Sequence, residues 1–309
     1  MVEHRRSAPP AGGSRRSLHR QGLGSPSGPS PSLARILRKA VYGTGHAETI
    51  RAPPRCGAVD GTLAMPQGLH ASHRTNRLLA ALEPVDFAAL EPHFEVISLS
   101  RGQVLYEPGD VIGHAYFPHE AIISLVNVME DGATNEVAVF GREGVVGLLS
   151  ALVTRQAFGR YVVQMAGTAS RIAFERLNEV RNTRPQLRQL IMNYGEAFLA
   201  QTFQTVSCNA LHPVEARCCR WILSMHDRAD GDTLPLTHEF LAEMLGVQRS
   251  SVSVVTRTLQ TAGLIQQARG SITVTDRVGL EDAACECYGK IRRVYQCLLP
   301  GTYPPPPSD

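Results

Sequence analysis

The sequence predicts an α+β protein in which an antiparallel β-sandwich of the jelly-roll kind precedes a long helix and a mainly helical C-terminal domain. Three observations support this prediction. Seven short β-like runs lie between residues 94 and 174, with a hairpin signal at Asp131-Gly132 and a short helical turn at residues 143–153. Apolar residues then recur at helical spacing from Pro185 onward. Further helical segments after Pro213 lead into one more pair of short strands.

Composition divides the 309 residues into five segments. Residues 1–74 are rich in Pro, Gly, Ser and Arg and carry 11 Lys and Arg against 3 Asp and Glu, so we expect a disordered basic head. The sandwich is predicted over residues 75–183, the long helix over 184–211, the C-terminal domain over 212–299 and a disordered tail over 300–309. No apolar run reaches the roughly 20 residues of a membrane span, and no secretory signal precedes the sandwich. The sequence therefore predicts a cytoplasmic protein with no membrane partner.

The long helix carries one apolar stripe. Its members follow the spacing of one helix face: Leu187, Leu190, Ile191, Tyr194 and Phe198. Such a stripe fits a helix docked on the sandwich. A long helix of this kind also fits pairing with its twin from a second subunit, so the sequence leaves both arrangements open.

The segment Leu236–Ile265 fits two helices joined by a tight turn. Thr237 is a candidate N-cap of the first helix, and Gly246 permits the left-handed turn that ends it. The spacing of Val252, Val255 and Leu259 predicts that they anchor the second helix to a core. The residues left to face outward are Gln248, Arg249, Ser250, Ser253 and Arg257.

An arginine and small hydroxyls at a helix start suit the major groove of DNA. Arginine can bind guanine O6 and N7, while hydroxyls and backbone N–H groups bind phosphates. A strand pair with Arg269-Gly270 at its tip follows, and it predicts a wing that reaches the DNA backbone. A helical hairpin with a serine-rich solvated surface is the alternative; the wing favours DNA binding. The predicted DNA-binding residues are Thr237, His238, Gln248, Arg249, Ser250, Ser251, Ser253, Arg257, Arg269 and Ser271.

This order of elements resembles the Crp/Fnr (catabolite activator) family of bacterial transcription regulators, over about Asn76 to Asp276. The resemblance implies a cyclic-nucleotide-binding-like jelly roll, a dimerisation helix and a winged helix-turn-helix. It also implies a homodimer on a two-fold double-stranded DNA operator, with RNA polymerase and a small-molecule effector as partners. The family's recognition helix has an Arg-Glu-Thr-Val run, which Arg249 and Ser251 match. Ser250 stands where the family has glutamate and Val254 where it has a second arginine, so we expect a different target sequence.

The resemblance also identifies the effector site. In cyclic-AMP-binding members a Gly-Glu-Leu run and a later Arg-Ser pair bind ribose and phosphate. Here Leu148 replaces the glutamate and Phe158-Gly159 replaces Arg-Ser, so the charges that bind the nucleotide are missing. We therefore expect a degenerate site that does not respond to cyclic AMP. Its candidate residues are Gly147, Leu148, Leu149, Phe158, Gly159 and Arg160. Arg155 or Arg160 either binds another anion or is a solvated surface arginine.

Other chemistries find little support. A metal-dependent cupin enzyme, or a small-molecule-binding protein with an auxiliary helical domain, is the alternative function, but His114 and His119 form no His-x-His motif. Iron–sulfur sensing needs four cysteines, and none lies between Cys56 and Cys208. Cys287 is interpreted as a small core residue, and the alternative is that Cys285 and Cys287 form half of a zinc or thiol-sensing site with distant Cys218 or Cys219. No catalytic residue, metal site or cofactor is therefore predicted.

Overall fold

The computed structural model describes residues 72–152 and 154–303, all within one compact unit. The basic head up to residue 71 and the tail from residue 304 lie outside the described residues. The described chain starts with a 3₁₀ turn, His73–Thr75, and two short helices, α1 (Arg77–Ala80) and α2 (Pro84–Leu90). Asn76 anchors this start: its side-chain oxygen caps α1, and its amide donates to the carbonyls of Pro118 and Gly144 at 2.9 and 3.0 Å.

The sandwich consists of two antiparallel sheets. Their strands are β1 (Glu95–Leu99), β2 (Val104–Tyr106), β3 (His114–Pro118), β4 (Ile122–Val128), β5 (Thr134–Phe140), β6 (Arg160–Met165) and β7 (Gly167–Ala173). One sheet has the order β1-β7-β3 and the other β2-β6-β4-β5. The predicted turn at Gly132 joins β4 to β5 with a φ of 83°, and the predicted helical turn is α3 (Leu148–Ala151). The predicted jelly roll is confirmed.

Two helices lead out of the sandwich: α4 (Phe174–Thr183) and the 27-residue α5 (Pro185–Leu211). The predicted stripe of α5 docks on the sandwich, where Leu187, Ile191 and Tyr194 are buried. Tyr194 fixes the helix further, because its hydroxyl bonds the backbone N–H and carbonyl of Val145. The opposite side of α5 carries exposed apolar residues: Met192, Leu199, Phe203, Val206 and Leu211.

The C-terminal domain is a helical platform with a three-stranded sheet of order β8-β10-β9. Its elements are α6 (Val214–His226), β8 (Thr233–Leu234), α7 (His238–Leu245), α8 (Arg249–Thr261), β9 (Ile265–Ala268), β10 (Ser271–Val274), α9 (Arg277–Ala283) and α10 (Cys287–Leu298). Its core includes Trp221, Leu241, Val252 and Ile272, all 1% exposed or less. Within the described residues, no helix has the length and apolarity to cross a bilayer.

Buried polar contacts join this domain to the sandwich. Arg228, just after α6, forms an ion pair with Glu143 of the sandwich at 2.7 Å, and both side chains are 2% exposed. Trp221 donates its indole N–H to Glu136 of β5 at 2.9 Å, and Ser124 donates to the same carboxyl at 2.6 Å. Burial raises the pKa of Glu136.

The predicted disordered tail is wrong at its first residues. Thr302 and Tyr303 are buried, and the Tyr303 ring lies 5.6 Å from the Arg228 guanidinium. The tail prediction fails here because an aromatic ring can cover a buried cation, a contact that local composition does not reveal.

Candidate DNA-binding surface and effector site

The turn between α7 and α8 has the predicted geometry. Thr237 begins α7, since its hydroxyl oxygen accepts the Phe240 backbone N–H at 3.2 Å. Gly246 ends it with φ 62° and ψ 43°, and its N–H is shared between the carbonyls of Ala242 and Glu243. This left-handed residue lets the chain reverse within two residues into α8.

The helix α8 has one buried side and one open side. Val252, Val255 and Leu259 are 3% exposed or less, as their spacing predicts. The open side carries Gln248, Arg249, Ser250 and Arg257, whereas Ser251 is half-buried. These residues therefore lie where an approaching ligand can reach them.

Arg249 forms an ion pair, but its side chain stays exposed to solvent. Its side chain is 66% exposed, and its Nε lies 2.6 Å from a carboxylate oxygen of Glu239 in α7. An ion pair this exposed contributes at most about 1 kcal/mol, because water screens both charges. Arg249 is thus oriented at the mouth of α8 and can exchange Glu239 for another acceptor at small cost.

His238 and Ser253 have a different environment from the one predicted. The His238 ring bonds the Ser253 hydroxyl at 3.1 Å, the Thr256 hydroxyl at 3.2 Å and the Gln267 side-chain oxygen at 2.7 Å. These contacts tie α7, α8 and strand β9 together, and Ser253 also donates to the Arg249 carbonyl. Periodicity predicted that Ser253 faces outward, but it did not reveal the hydrogen bonds that Ser253 and His238 form inside the domain.

The predicted wing is present as the β9–β10 hairpin. Gly270 has a φ of 78° at the turn, and Arg269 beside it is exposed. Ser271 is half-buried and pairs with Ala268 across the two strands. Because His238 bonds Gln267 of β9, the wing is fixed directly to the two helices.

The other side of α7 touches the sandwich. A Cβ added to Gly246 would lie 3.7 Å from the Asn135 Cβ and 3.8 Å from the Thr134 carbonyl, both at the start of β5. Gln164 of β6 donates to the Met244 sulfur at 3.4 Å. The helix-turn-helix is therefore in direct contact with the β2-β6-β4-β5 sheet of the sandwich.

The predicted effector residues do not form a charged pocket. Leu148 is 1% exposed in the sandwich core, and Leu149 is half-buried beside Gly195 of α5. Gly147 has a φ of 86°, and a Cβ there would lie 3.0 Å from the His114 carbonyl. At Gly159 a Cβ would meet the Val126 carbonyl at 2.8 Å, so both glycines are required by close backbone approach.

Both candidate arginines already have carboxylate partners. Arg160 bonds both oxygens of Glu107 through its Nε, at 2.9 and 3.1 Å, and Arg155 bonds Glu175 at 2.7 Å. Phe158, which stands in place of the family's phosphate-binding arginine, is 62% exposed. Each guanidinium therefore already has a carboxylate partner that neutralises its charge.

Aromatic side chains fill the space between the two sheets. Tyr106 meets Tyr116 and Tyr161 edge-on, with ring centres 6.0 and 6.1 Å apart, and Phe140 lies 5.8 Å from Tyr161. Tyr161 bonds the Ser150 hydroxyl at 3.0 Å, and burial raises the pKa of its phenol. The sandwich interior is thus a packed aromatic core.

His119 of the sandwich is held by hydrogen bonds to two hydroxyl groups. His119 bonds Thr168 through Nδ1 and Ser170 through Nε2, at 2.9 and 2.8 Å, and burial lowers its pKa. Among the described residues, no group of three or more potential metal ligands lies in the sandwich. The cupin interpretation therefore finds no ligand set there.

The cysteine interpretation needs a correction. Cys285 and Cys287 do not pair with Cys218 or Cys219, which lie in the core of the C-terminal domain. Burial raises the pKa of Cys218 to about 12, so that thiol is inert. The neighbours of Cys285 and Cys287 are Cys208 and His212 at the end of α5. The i, i+4 spacing of this cysteine and histidine was the sequence signal that we missed.

Comparisons with known proteins agree with this architecture. The cyclic nucleotide-binding domain family matches residues 96–184, and the Crp-like helix-turn-helix domain family matches residues 216–283. The chain is 26% identical over 196 residues to the global nitrogen regulator of Synechococcus elongatus, covering 60% of this chain and 88% of that one. It is 26% identical over 199 residues to the transcriptional regulator SdrP of Thermus thermophilus, covering 62% and 94%.

Solved structures give the same fold. FixK2 of Bradyrhizobium japonicum superposes with a TM-score of 0.54 at 14% identity, covering 62% of this chain and 98% of that one. The matched families contain transcription regulators and point to no enzyme class. With its jelly roll, its helix-turn-helix and these relatives, the chain belongs to the Crp/Fnr family of DNA-binding transcription regulators.

Proposed function

We propose that the protein acts in the bacterial cytoplasm as a homodimer on a two-fold operator, and that it is not an enzyme. In this proposal the α8 helices of two subunits enter successive major grooves, about 34 Å apart. The observation that carries the proposal is the open side of α8, where Arg249 and Arg257 are exposed while the valines behind them are buried. RNA polymerase is the proposed partner at the promoter, as the family resemblance implies.

Each residue of the surface has a proposed role. Arg249 reads a G·C pair, because it projects from the first turn of α8 and its ion pair with Glu239 is exposed and weak. Ser251 and the N–H groups at the start of α8 bind phosphate, aided by the positive end of the helix dipole. Arg269 at the wing tip contacts the backbone. The remaining proposed contacts are those of Thr237, Gln248, Ser250, Arg257 and Ser271.

His238 and Ser253 belong to the proposed site as positioning residues. Their bonds to each other and to Gln267 fix the angle between α7, α8 and the wing. Their loss would disturb the placement of Arg249 and Arg269 together, and would not remove one particular base contact.

The proposed dimer interface is the exposed side of α5. Met192, Leu199, Phe203 and Val206 are 51–64% exposed and follow one another by seven, four and three residues. This spacing forms the seam that two helices bury against each other in a coiled coil. A second copy of the chain is the partner that such a self-complementary stripe fits.

The sandwich is proposed to bind no cyclic nucleotide. A nucleotide phosphate needs a cation, and Arg155 and Arg160 both form ion pairs with carboxylates of the sandwich region, Glu175 and Glu107. The ribose needs an acceptor, and Leu148 offers only a buried aliphatic chain. Calorimetry with cyclic AMP should therefore show no saturable heat; micromolar binding would overturn this part of the proposal.

The test of DNA binding begins with selection of bound sequences from a random duplex pool, which should return a two-fold site. On that site, at fixed salt, Arg249→Ala should cost about 1 to 3 kcal/mol and relax the preference at one G·C pair. The matched control is Arg176→Ala, since Arg176 is also an exposed arginine, paired with Glu179 in α4, away from the proposed DNA-binding surface. Equal affinities for both variants, with unchanged base preference, would refute the assigned contact.

A further inference from the structure

Four metal-ligating side chains converge where α10 packs on the end of α5. Cys208 and His212 lie one helical turn apart on α5 and its C-cap, and Cys285 and Cys287 lie at the start of α10. Their ligand atoms all lie within 4.8 Å of one another. The Cys208 and Cys285 sulfurs are 3.4 Å apart, and the Cys287 sulfur is 3.3 Å from His212 Nδ1.

These separations fit a tetrahedral ion. With Zn–S bonds of about 2.3 Å and a Zn–N bond of about 2.0 Å, neighbouring ligand atoms lie roughly 3.5 to 3.8 Å apart. The Cys208–Cys285 and Cys287–His212 separations, 3.4 and 3.3 Å, are close to these values. Three thiolates and one imidazole form a closed set of four, which is the pattern of structural zinc sites.

The surroundings also match a metal site. His212 Nε2 lies 3.3 Å from a Glu286 carboxylate oxygen, which leaves Nδ1 directed at the sulfurs. Metal-bound histidines are usually oriented by such a carboxylate. Gln204 donates to the Cys287 sulfur at 3.0 Å. A donor to sulfur stabilises the thiolate that a metal needs.

The charge balance favours a cation bound by several thiolates. Three thiolates and one Zn²⁺ carry a net charge of −1, and two arginines of α6, Arg217 and Arg220, are buried and contribute to the field at Cys208. The Nε atoms of both arginines have no hydrogen-bond partner.

Two simpler interpretations explain less. A patch of small core residues leaves the orientation of His212 towards the sulfurs without a reason. A Cys208–Cys285 disulfide would use two of the thiols, but it gives no role to Cys287 or His212. We propose that Cys208, His212, Cys285 and Cys287 bind one zinc ion, which fastens α10 to the end of α5 where the chain enters the DNA-binding domain.

The first test is metal content. Full-length protein, produced with zinc in the medium and purified under reducing conditions without an affinity tag, should contain about one zinc per chain by mass spectrometry. Cys287→Ser and His212→Ala should lose most of it. The control Cys218→Ala removes a buried thiol outside the cluster and should retain it. Metal-free wild type, or full zinc retention by the cluster variants, would overturn the proposal.

A second test does not depend on whether the variants fold. The metal should be removed from wild-type protein by a chelator under reducing conditions, and the protein titrated with Co²⁺. Saturation at one equivalent, with intense visible bands of tetrahedral cobalt and a thiolate charge-transfer band, is the expected result. Weak octahedral absorption only, or a Cys208–Cys285 disulfide that persists in the reductant and blocks binding, would refute the zinc site.

Discussion

Removing the charge of Glu143 should destabilise the protein strongly. This carboxylate and Arg228 are each 2% exposed, and two guanidinium nitrogens of Arg228 bond the same carboxylate oxygen at 2.7 and 2.8 Å. Glu143→Gln keeps the shape of the side chain but leaves a buried arginine without a counter-charge. Breaking a buried pair in this way costs about 3 to 5 kcal/mol. For a folded region of this size the loss corresponds to a fall of about 6 to 20 °C in Tm.

The assay is thermal and urea unfolding of the wild type and three variants. Glu179→Gln is the matched control, because Glu179 pairs with Arg176 on the surface at 2.8 Å and is 62% exposed. That change should cost under about 1 kcal/mol. The double variant Glu143→Gln with Arg228→Met should recover much of the lost stability, because no unpaired charge stays buried. Equal effects at Glu143 and Glu179 would refute the reasoning.

Three further predictions concern the inter-domain carboxyl, the recognition turn and the long helix. Burial raises the pKa of Glu136 in the folded state, so its favourable contribution to stability is complete below the ordinary pKa of 4.5 and is lost as pH rises through the raised pKa. The stability of Glu136→Gln relative to wild type should therefore increase as pH rises above 4.5, and a pH-independent difference in urea unfolding would contradict this. Gly246→Ala should cost about 1 kcal/mol or more and weaken DNA binding, since φ is 62° there, whereas Gly231→Ala, with open space around it, should change little. Phe203→Glu should convert the proposed dimer to monomer in sedimentation experiments, while Val111→Glu, also on the exposed surface, should not; a dimer in both variants would place the interface elsewhere.

The sequence predicted the features that depend on short-range signals. Each of the seven strands is a short apolar run bounded by turns, and each was found in the sandwich. The turn at Gly246 and the helix α8 were also predictable from local sequence. A glycine that permits a left-handed turn, followed by apolar residues at helical spacing, is typical of two helices joined by a tight turn. The outward direction of Arg249 and Arg257 followed from that period.

Features that depend on distant contacts were missed. Cys208 and Cys285 are 77 residues apart, and Glu143 and Arg228 are 85 apart, so no local pattern connects either pair. For this reason the sequence analysis assigned the wrong candidate partners to Cys285. The sequence analysis also identified only the apolar stripe of α5 that docks on the sandwich. The second, exposed apolar stripe was missed, because the search for a hydrophobic period picked out the stronger face. Leu148 was assigned to an effector pocket by its place in a motif, although packing placed it in the core.

The helix α7 gives the sandwich a direct connection to the DNA-binding surface. Its C-terminal end packs on the sandwich, where Gln164 of β6 donates to the Met244 sulfur and Gly246 faces the start of β5. Its other end contacts α8 through the ion pair of Glu239 and Arg249. An eight-residue helix moves as a rigid element, so a shift of the β4–β5 hairpin that displaced its C-terminal end would also move Glu239. Because the exposed carboxylate of Glu239 forms an ion pair with Arg249, the orientation of Arg249 would respond directly. The packing contacts of α7 thus connect the sandwich to the ion pair that orients Arg249.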